Sequence, residues 1–431
     1  MRLTDDRSPL SPRLPAWQVL PAIAGIYISQ TLLTAITTQS LPSLLRAAGA
    51  SLQMAGLAAL WWLPWGFKFL WAPKVEGWRL PAQGTQRRSR AMLLVGQWLM
   101  AGILLGMGLA SLHGLLPLQT RAGWILALLL LSALVAATTD IACDGFAVEQ
   151  LSRQTRGWGN VAQVGGSYVG AMLGGGGFLL VAGHAGLPWA LLATAAAIVA
   201  LGLPMLALRE PPRAPAQTGA HRPSLRFALR RPEVVHGLLL LLFSSVGIRL
   251  TMSMLGPLLL DHGVSMERLG WLFGSFSVLA GLTGAFLGGM LVRRAPGWRA
   301  VWRAVALKAC VLAALAAAAA NVAGETPQVL LIALVGLLFG AMGCAWVALY
   351  SVLMDISSPL QAGVDFTLFQ SADALLAAAS GVAGGWLAGR WGYAACFGLA
   401  ATLTAAAVLV VRQYAKRDIY THPEDEDAHA R

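Results

Sequence analysis

Long, continuous runs of apolar residues follow one another along almost the whole chain, and short polar segments separate them. Crossing a bilayer takes about 20 predominantly apolar residues in a helix, and only helices or closed barrels satisfy their backbone polar groups in lipid. The runs are continuous rather than alternating, so they predict helices. The pattern predicts twelve spans, over residues 15–38, 50–71, 91–112, 123–146, 159–182, 187–208, 234–260, 269–292, 300–320, 329–353, 364–388 and 393–411.

The composition agrees with this pattern. Hydrophobic residues make up 57% of the chain, charged residues make up 12%, and the mean hydropathy is +0.65. A soluble globular domain carries about twice that charged fraction. The loops between the predicted helices are short, so no segment remains that could form a separate soluble domain. The predicted fold class is therefore an all-α polytopic membrane protein with twelve transmembrane helices.

Lysine and arginine concentrate in alternate loops, which makes the orientation of the chain readable. The basic segments are the two tails and the loops near residues 74–90, 153–156, 209–231 and 293–303. Because cytoplasmic loops carry an excess of these residues, both termini are expected in the cytoplasm. This topology accounts for the net charge of +12 without any nucleic acid as a partner. It also predicts contact with anionic lipid headgroups.

The longest loop, over residues 209–233, divides the predicted helices into six and six. It is rich in Pro, Ala and Arg and includes a candidate surface helix at 224–231. The predicted organisation is a cytoplasmic tail, two six-helix bundles joined by this cytoplasmic linker, and a second cytoplasmic tail, over residues 1–14, 15–208, 209–233, 234–411 and 412–431. Two such halves resemble the major facilitator superfamily. The resemblance implies pseudo-repeats and a substrate site between them near the membrane midplane.

Internal similarity between the halves is weak and suggestive only. Setting Gln163 of the fifth predicted span against Gln370 of the eleventh places Gly174 on Gly381. Small residues at such spacing let helices approach closely. One matched glutamine within glycine-rich helices is also compatible with chance.

An ionisable side chain inside a span costs at least ~2.5 kcal/mol at the helix centre on insertion scales, so each one needs a partner or a role. Arg249 is the strongest candidate, because it lies near the middle of the seventh predicted span with Ser245 and Ser253 four residues to either side. Its guanidinium fork matches a carboxylate, which points to binding of an anionic substrate group or to gating. The alternative is an arginine paired internally with an aspartate for structural support.

Asp140 and Asp144 are four residues apart and therefore share one face of the fourth predicted span. Two carboxylates at low dielectric disfavour joint ionisation, which would let them carry a proton. An ion pair, either Lys68 with Asp140 or Arg153 with Asp144, is the structural alternative and would break on opening. Asp373 lies deep in the eleventh span and could face a cavity.

Uncharged polar residues form stripes on two other predicted helices. Tyr27, Gln30 and Thr34 share one face of the first span, and Gln163 and Ser167 share one face of the fifth. Such stripes line cavities in transporters, and they are candidate substrate contacts. Threonine and serine hydroxyls also bond their own helix backbone, which remains the alternative for each of them.

Two stretches resemble one branch of the superfamily, which contains the muropeptide permease, the acetyl-CoA transporter and bacterial siderophore permeases. Residues 65–81 read WGFKFLWAPKVEGWRLP, and residues 138–176 include TTDIACDGFAVEQL and RGWGNVAQVGGSYVGAMLGGG. Within the branch, DGFAV at residues 144–148 resembles the rhizobactin- and pyochelin-type siderophore permeases. Glu76 stands where the branch commonly has Asp, a departure that keeps a carboxylate but leaves its geometry open.

The resemblance implies a bacterial inner-membrane importer of ferric siderophores that is proton-coupled and works by alternating access. Arg249 would hold the anionic chelate. Further substrate contacts would come from the polar stripes, namely Tyr27, Gln30, Thr34, Gln163 and Ser167. Coupling or gating would fall to Asp140, as the proton carrier, and to Asp144, Lys68 and Asp373. The alternative within transport is a permease for muropeptides or other anionic sugar-peptides.

Other classes of function find little support in the sequence. An enzyme would need a nucleophile–base pair or a metal cluster, and the seven histidines are scattered along the chain. A membrane sensor would need a soluble output domain. The four cysteines lie isolated within apolar runs, so neither disulfides nor a metal motif is expected. No cofactor is expected, because a siderophore would itself supply the ligands of its iron. The expected oligomeric state is a monomer.

Overall fold

The computed structural model describes residues 13–41, 44–45, 60–81, 85–213, 222–295, 297–320 and 327–416. Within these residues the regular structure is helical, with a few short π and 3₁₀ turns. The helices are α1 (Ala16–Ala35), α2 (Trp62–Phe67), α3 (Ala72–Arg79), α4 (Ser89–Leu112), α5 (Leu118–Gln150), α6 (Arg153–Met172), α7 (Phe178–Ala185), α8 (Leu187–Leu206), α9 (Leu225–Arg230), α10 (Pro232–Asp261), α11 (Met266–Trp271), α12 (Ser277–Arg294), α13 (Trp298–Ala320), α14 (Gln328–Ile356) and α15 (Ala362–Lys416).

Ten helical segments of the described residues are long and apolar enough to cross a membrane, against the twelve spans predicted. Residues 50–59 of the second predicted span lie outside the described residues, and its remainder forms α2 and the turn after it. The eleventh and twelfth predicted spans both fall in α15, which is interrupted at Gly392, with φ 78° and ψ 169°. Its 55 residues would extend roughly 80 Å if straight, far more than one bilayer core of about 30 Å.

The all-helical membrane fold is therefore confirmed, although the described residues do not reach the count of twelve. The short helix expected in the linker is also present, as α9. The long helices can lie in a bilayer because transfer of their apolar side chains from water to lipid is favourable. Lipid offers no hydrogen-bond partners, so the backbone polar groups must bond within the helix.

The helices form two compact units. The first comprises residues Met1–Ala228 together with Ser357–Ser371, and the second comprises Leu229–Ile356 together with Ala372–Arg431. The first residues of α15 and the loop before them thus group with the first unit, although they lie in the C-terminal half of the sequence.

In the first unit, α1 packs against α6 and α8, while α4 packs against α5 and α8. Glycine makes the tightest of these approaches possible. A Cβ atom at Gly174 would lie 2.1 Å from the carbonyl oxygen of Leu32 on α1. Aliphatic side chains such as Leu33, Leu104 and Ile198 fill the space between the same helices and are fully buried.

In the second unit, α14 packs against α12, α13 and α10. A Cβ atom at Gly284 of α12 would lie 1.9 Å from the carbonyl oxygen of Gly340 on α14, so only glycine permits this contact. Close approach at small residues replaces the hydrophobic effect, which does not drive helices together in lipid. Large apolar side chains cover much of the outside of each unit, as a lipid-facing surface requires.

Candidate functional site

A buried polar cluster in the first unit surrounds Lys68, which lies in the 3₁₀ turn after α2. Its Nζ atom contacts Asp140 Oδ2 on α5 and Gln370 Oε1 at the start of α15. Asp144, one turn further along α5, places Oδ2 4.0 Å from the same Nζ. The ammonium also lies 5.1 Å from the centre of the Trp65 ring. The predicted Lys68–Asp140 pair is thus present.

Asp144 completes this cluster, and its side chain has no exposed surface. The Tyr27 hydroxyl donates to its Oδ1 at 2.8 Å, and Gln163 Nε2 lies 3.4 Å from the same atom. Its Oδ2 accepts no hydrogen bond from the described residues. We call Tyr27, Lys68, Asp140, Asp144, Gln163 and Gln370 the Lys68 cluster. Two aligned glutamines of the weak internal repeat, Gln163 and Gln370, therefore both belong to it.

The charges of the Lys68 cluster do not balance. Two carboxylates face one ammonium, and the exposed fractions of the three side chains are 1% for Lys68, 3% for Asp140 and 0% for Asp144. Burying an uncompensated charge is costly, and protein groups in that position take up or release a proton. Two buried carboxylates therefore share one buried cation in this cluster.

Three of the predicted substrate contacts lie outside this cluster. The Thr34 hydroxyl donates to the backbone oxygen of Gln30 at 2.8 Å and accepts from Trp61 Nε1 at 3.0 Å. The Ser167 hydroxyl donates to the backbone oxygen of Gln163 at 2.9 Å. Both hydroxyls thus follow the backbone-bonding alternative. Gln30 is buried, and its Nε2 has no hydrogen-bond acceptor among the described residues.

Arg249 of α10 pairs with Asp373 of α15, both within the second unit. Arg249 Nε donates to Asp373 Oδ1 at 3.3 Å, and Nη2 contacts Oδ2. The guanidinium carbon also lies 4.9 Å from the centre of the Trp346 ring on α14. The arginine is thus held by an internal carboxylate, which was the structural alternative to a free anion-binding group.

Lys308 of α13 lies near this pair. Its side chain is buried, and Nζ donates to the backbone oxygen of Ser244 at 2.7 Å. Electrostatic interactions connect it with both Asp373 and Arg249. When all three groups are ionised, they carry one net positive charge.

A second ionic cluster of the first unit surrounds Arg79 at the end of α3. Its Nε and Nη2 atoms each donate to Glu76 at 2.7 Å, and Nη1 donates to Glu149 of α5 at 2.9 Å. Glu76 Oε1 also accepts from the backbone N–H of Gly363 at 3.1 Å. Glutamate at position 76 thus contacts both the Arg79 guanidinium and the backbone at the start of α15. Arg87 Nε lies 3.5 Å from Glu149 Oε2, and we call Glu76, Arg79, Arg87 and Glu149 the Arg79 cluster.

Electrostatics and packing both fix Arg79 in place. Burial alone would lower the pKa of Arg79, but Glu149 and Glu76 outweigh it and raise that pKa above its usual value. The arginine therefore stays charged at any physiological pH. A Cβ atom at Gly145, within the DGFAV stretch, would lie 2.7 Å from Arg79 Nε, so this glycine makes room for the guanidinium.

The sequence argument missed three members of these sites, namely Glu149, Trp346 and Gln370. Glu149 falls inside residues 138–176, the second stretch that resembles the transporter branch. The alignment of Gln370 with Gln163 was a signal for Gln370. Lys308 stood out as a lone cation in an apolar run, but nothing local showed its partner. No group of three or more His, Cys, Asp or Glu able to hold a metal ion occurs in the described part of the chain.

Several solved structures share the fold of this chain. The crystal structure of a bacterial homologue of the iron transporter ferroportin in an outward-facing state matches with a TM-score of 0.65 and 16% identity, over 94% of this chain and 100% of that chain. The proton:xylose symporter XylE matches with a TM-score of 0.70 and 13% identity, over 93% and 95%. The Escherichia coli fucose:proton symporter FucP matches with a TM-score of 0.67 and 13% identity, over 91% of this chain and 97% of that chain. The chain therefore has the major facilitator fold.

The chain also shares sequence similarity with one family model and with several bacterial proteins. The family model of acetyl-coenzyme A transporter 1 matches residues 22–185. An uncharacterized protein of Haemophilus influenzae is 26% identical over 373 residues, covering 83% of this chain and 85% of that protein. The anhydromuropeptide permease of Escherichia coli K12 is 28% identical over 277 residues, covering 62% of this chain and 54% of the permease. The chain thus matches about half the length of that permease.

The chain thus has the multi-pass helical architecture and the major facilitator fold predicted from the sequence, and the family model and the permease to which it is similar are those of transporters. Its specificity for siderophores, its proton coupling and the roles of the individual site residues stay predictions.

Proposed function

We propose that this protein is a proton-coupled importer of a bulky, carboxylated solute in the bacterial inner membrane, with both termini in the cytoplasm. The Lys68 cluster is the observation that carries the proposal. Its two carboxylates and single ammonium are buried together, so a proton shared by Asp140 and Asp144 would balance the charge.

The coupling step follows from the same contacts. With one proton on the carboxylate pair, Lys68 keeps a single counter-charge and the site can stay buried. Loss of that proton leaves a net negative charge, which favours a conformation that admits water. Transport by alternating access would link these two states to the two faces of the membrane.

Purified protein in proteoliposomes would test the coupling. Asp140→Asn and Asp144→Asn should abolish accumulation driven by an imposed pH gradient, while exchange of labelled solute across the membrane without a gradient persists. Asp261→Asn is the matched control, since this carboxylate of α10 bonds Tyr393 in an exposed position and should leave both activities intact. Accumulation retained by both cluster variants would reject proton coupling through these residues.

We propose an anhydromuropeptide-type sugar-peptide as the leading solute. The relative of Escherichia coli, an anhydromuropeptide permease, supports it, although that alignment covers only part of the permease. The direct test is uptake of radiolabelled anhydromuropeptide by cells that lack their own permease and express this protein. Absence of uptake, from protein shown to be in the membrane, would reject this solute.

A ferric siderophore is the second candidate, and the DGFAV stretch at residues 144–148 supports it. Here the iron is cargo, held by the ligands of its chelator. Uptake of radiolabelled iron from a panel of ferric siderophores, with and without an uncoupler, tests it in the same cells. Both solutes carry carboxylates, so both give Arg249 the same partner chemistry.

A further inference from the structure

Arg249 has two supports of different kinds. Asp373 holds the guanidinium through charge and hydrogen bonds at Nε and Nη2, whereas the Trp346 ring, 4.9 Å from the guanidinium carbon, holds it through a cation–π contact. The first partner is an ionic ligand that another carboxylate can replace. The second is uncharged and does not compete for the hydrogen-bonding fork.

The exposure of the pair favours such a replacement. The Arg249 side chain is 21% exposed, while Asp373 is only 7% exposed, so the guanidinium is the member that remains accessible. Lys308 adds a second cation within electrostatic range of both. The group therefore gains a balanced charge if one further anion approaches Arg249.

We propose that Asp373 occupies, in the substrate-free protein, the position at Arg249 that the carboxylate of the transported solute takes on binding, while Trp346 keeps the guanidinium in place during the exchange. This inference rests on the proposed function and deepens it. The solute class is a carboxylate with at least one oxygen pair free to meet the arginine fork. Asp373 is then a built-in competitor, and Trp346 is a positioning residue.

Arg249 needs both Asp373 and Trp346 if one carboxylate is to replace another. An arginine in a low-dielectric span cannot be left without a partner while one carboxylate leaves and another arrives. A desolvated cation–π contact stabilises the guanidinium through that interval. Tryptophan is the most effective of the aromatic side chains in this role.

Equilibrium binding to the purified full-length protein tests the proposal. The probes are a radiolabelled anhydromuropeptide and a ferric carboxylate siderophore, each compared with its carboxamide derivative. Asp373→Asn removes the competitor but keeps a similar shape, so the carboxylate probe should bind about tenfold tighter, a change of about 1.4 kcal/mol. The carboxamide should show no such gain. Asp261→Asn is the matched control and should change neither affinity.

Two further variants keep the test decisive if Asp373→Asn fails to fold. Arg249→Lys keeps the charge but removes the bidentate fork, so it should weaken the carboxylate probe about tenfold or more and spare the carboxamide. Trp346→Phe should retain much of the affinity, and Trp346→Leu should lose it.

The outcomes separate this inference from the proposed function. Binding of a carboxylate probe by the wild type that Asp373→Asn and Arg249→Lys both leave unchanged would overturn the inference and leave the transporter of carboxylates standing. Equal affinity for a carboxylate and its carboxamide would do the same. Failure of the wild type to bind either probe would overturn both together.

Discussion

The first unit holds two ionic clusters between the same two parts of the chain, and they differ in charge balance. Lys68 and Arg79 both belong to the segment Trp62–Arg79, and their carboxylate partners on α5 lie within ten residues of one another. In the Arg79 cluster two arginines meet two glutamates, because Arg87 Nε lies 3.5 Å from Glu149 Oε2. In the Lys68 cluster one ammonium meets two aspartates.

The balance of positive and negative charges distinguishes the two clusters. In the Arg79 cluster the carboxylates accept hydrogen bonds from the forked guanidinium and from a backbone N–H. These contacts stabilise the ionised carboxylates in one geometry for as long as they persist. The Lys68 cluster leaves Asp144 Oδ2 without a hydrogen-bond donor among the described residues, and its charges balance only with the proton that we propose for it. The first arrangement is typical of a structural connection, and the second is the one to which we assign the proposed coupling.

The largest effect expected from this comparison follows removal of Arg79. Arg79→Ala leaves Glu76 and Glu149 buried without their main counter-charge, which should cost about 3–5 kcal/mol of folding free energy. Unfolding of the purified protein in detergent micelles, together with its yield from membranes, measures the loss. Arg88→Ala is the control, because Arg88 is exposed and adjacent in sequence to the same cluster. A loss no larger than that of the control would contradict a structural role for Arg79.

Neutralising one carboxylate in each cluster should separate the two directly. Glu149→Gln removes one of the two counter-charges of Arg79 and should cost about 1.5–3 kcal/mol, the range for a hydrogen bond to a charged group. Asp144→Asn keeps an oxygen for Tyr27 and removes the excess carboxylate, so its cost should stay below about 1 kcal/mol. Parallel unfolding curves of both variants give the comparison. Equal costs would show that charge balance does not distinguish the clusters.

Glycine beside Arg79 gives a smaller and purely steric effect. Gly145→Ala would place a methyl group 2.7 Å from Arg79 Nε, and the resulting displacement should cost about 1–3 kcal/mol. Gly102→Ala is the matched control, because nothing lies within 4 Å of a Cβ atom at that position in α4. Thermal unfolding should show destabilisation for the first variant and none for the second. An unchanged Gly145→Ala would mean that the guanidinium has room to move.

The sequence predicted the helices well because apolar runs and their lengths are local properties. It also predicted the contact of Lys68 with Asp140, since the depth of each residue follows from its distance to the end of its span. The gap between the eleventh and twelfth predicted spans coincides with the interruption of α15 at Gly392, whereas nothing in the apolar pattern indicated that residues 357–371 group with the first unit.

The partners of the site residues were harder to predict, because they depend on how each helix is rotated. For Arg249 the sequence left open whether it meets a substrate or an aspartate, and its contact with Trp346 has no local signal. Glu149 lies beyond the end of the fourth predicted span, and its pairing with Arg79 depends on the position of α3, which the sequence pattern does not give. Thr34 and Ser167 share a face with cavity candidates, yet their hydroxyls bond backbone oxygens. Side-chain direction comes from packing, which spacing along one chain does not encode.

The smallest effect concerns the hydroxyl that Tyr27 donates to Asp144 at 2.8 Å. Tyr27→Phe should cost about 1 kcal/mol of folding free energy, because one buried hydrogen bond is lost. Tyr393→Phe is the control, since its hydroxyl donates to Asp261 at 2.6 Å in an exposed position where water replaces the bond. In a double-mutant cycle, the cost of Tyr27→Phe should fall in the Asp144→Asn background, where the bond is weaker. An unchanged cost there would show that the stabilising contact of the Tyr27 hydroxyl is made with a group other than Asp144.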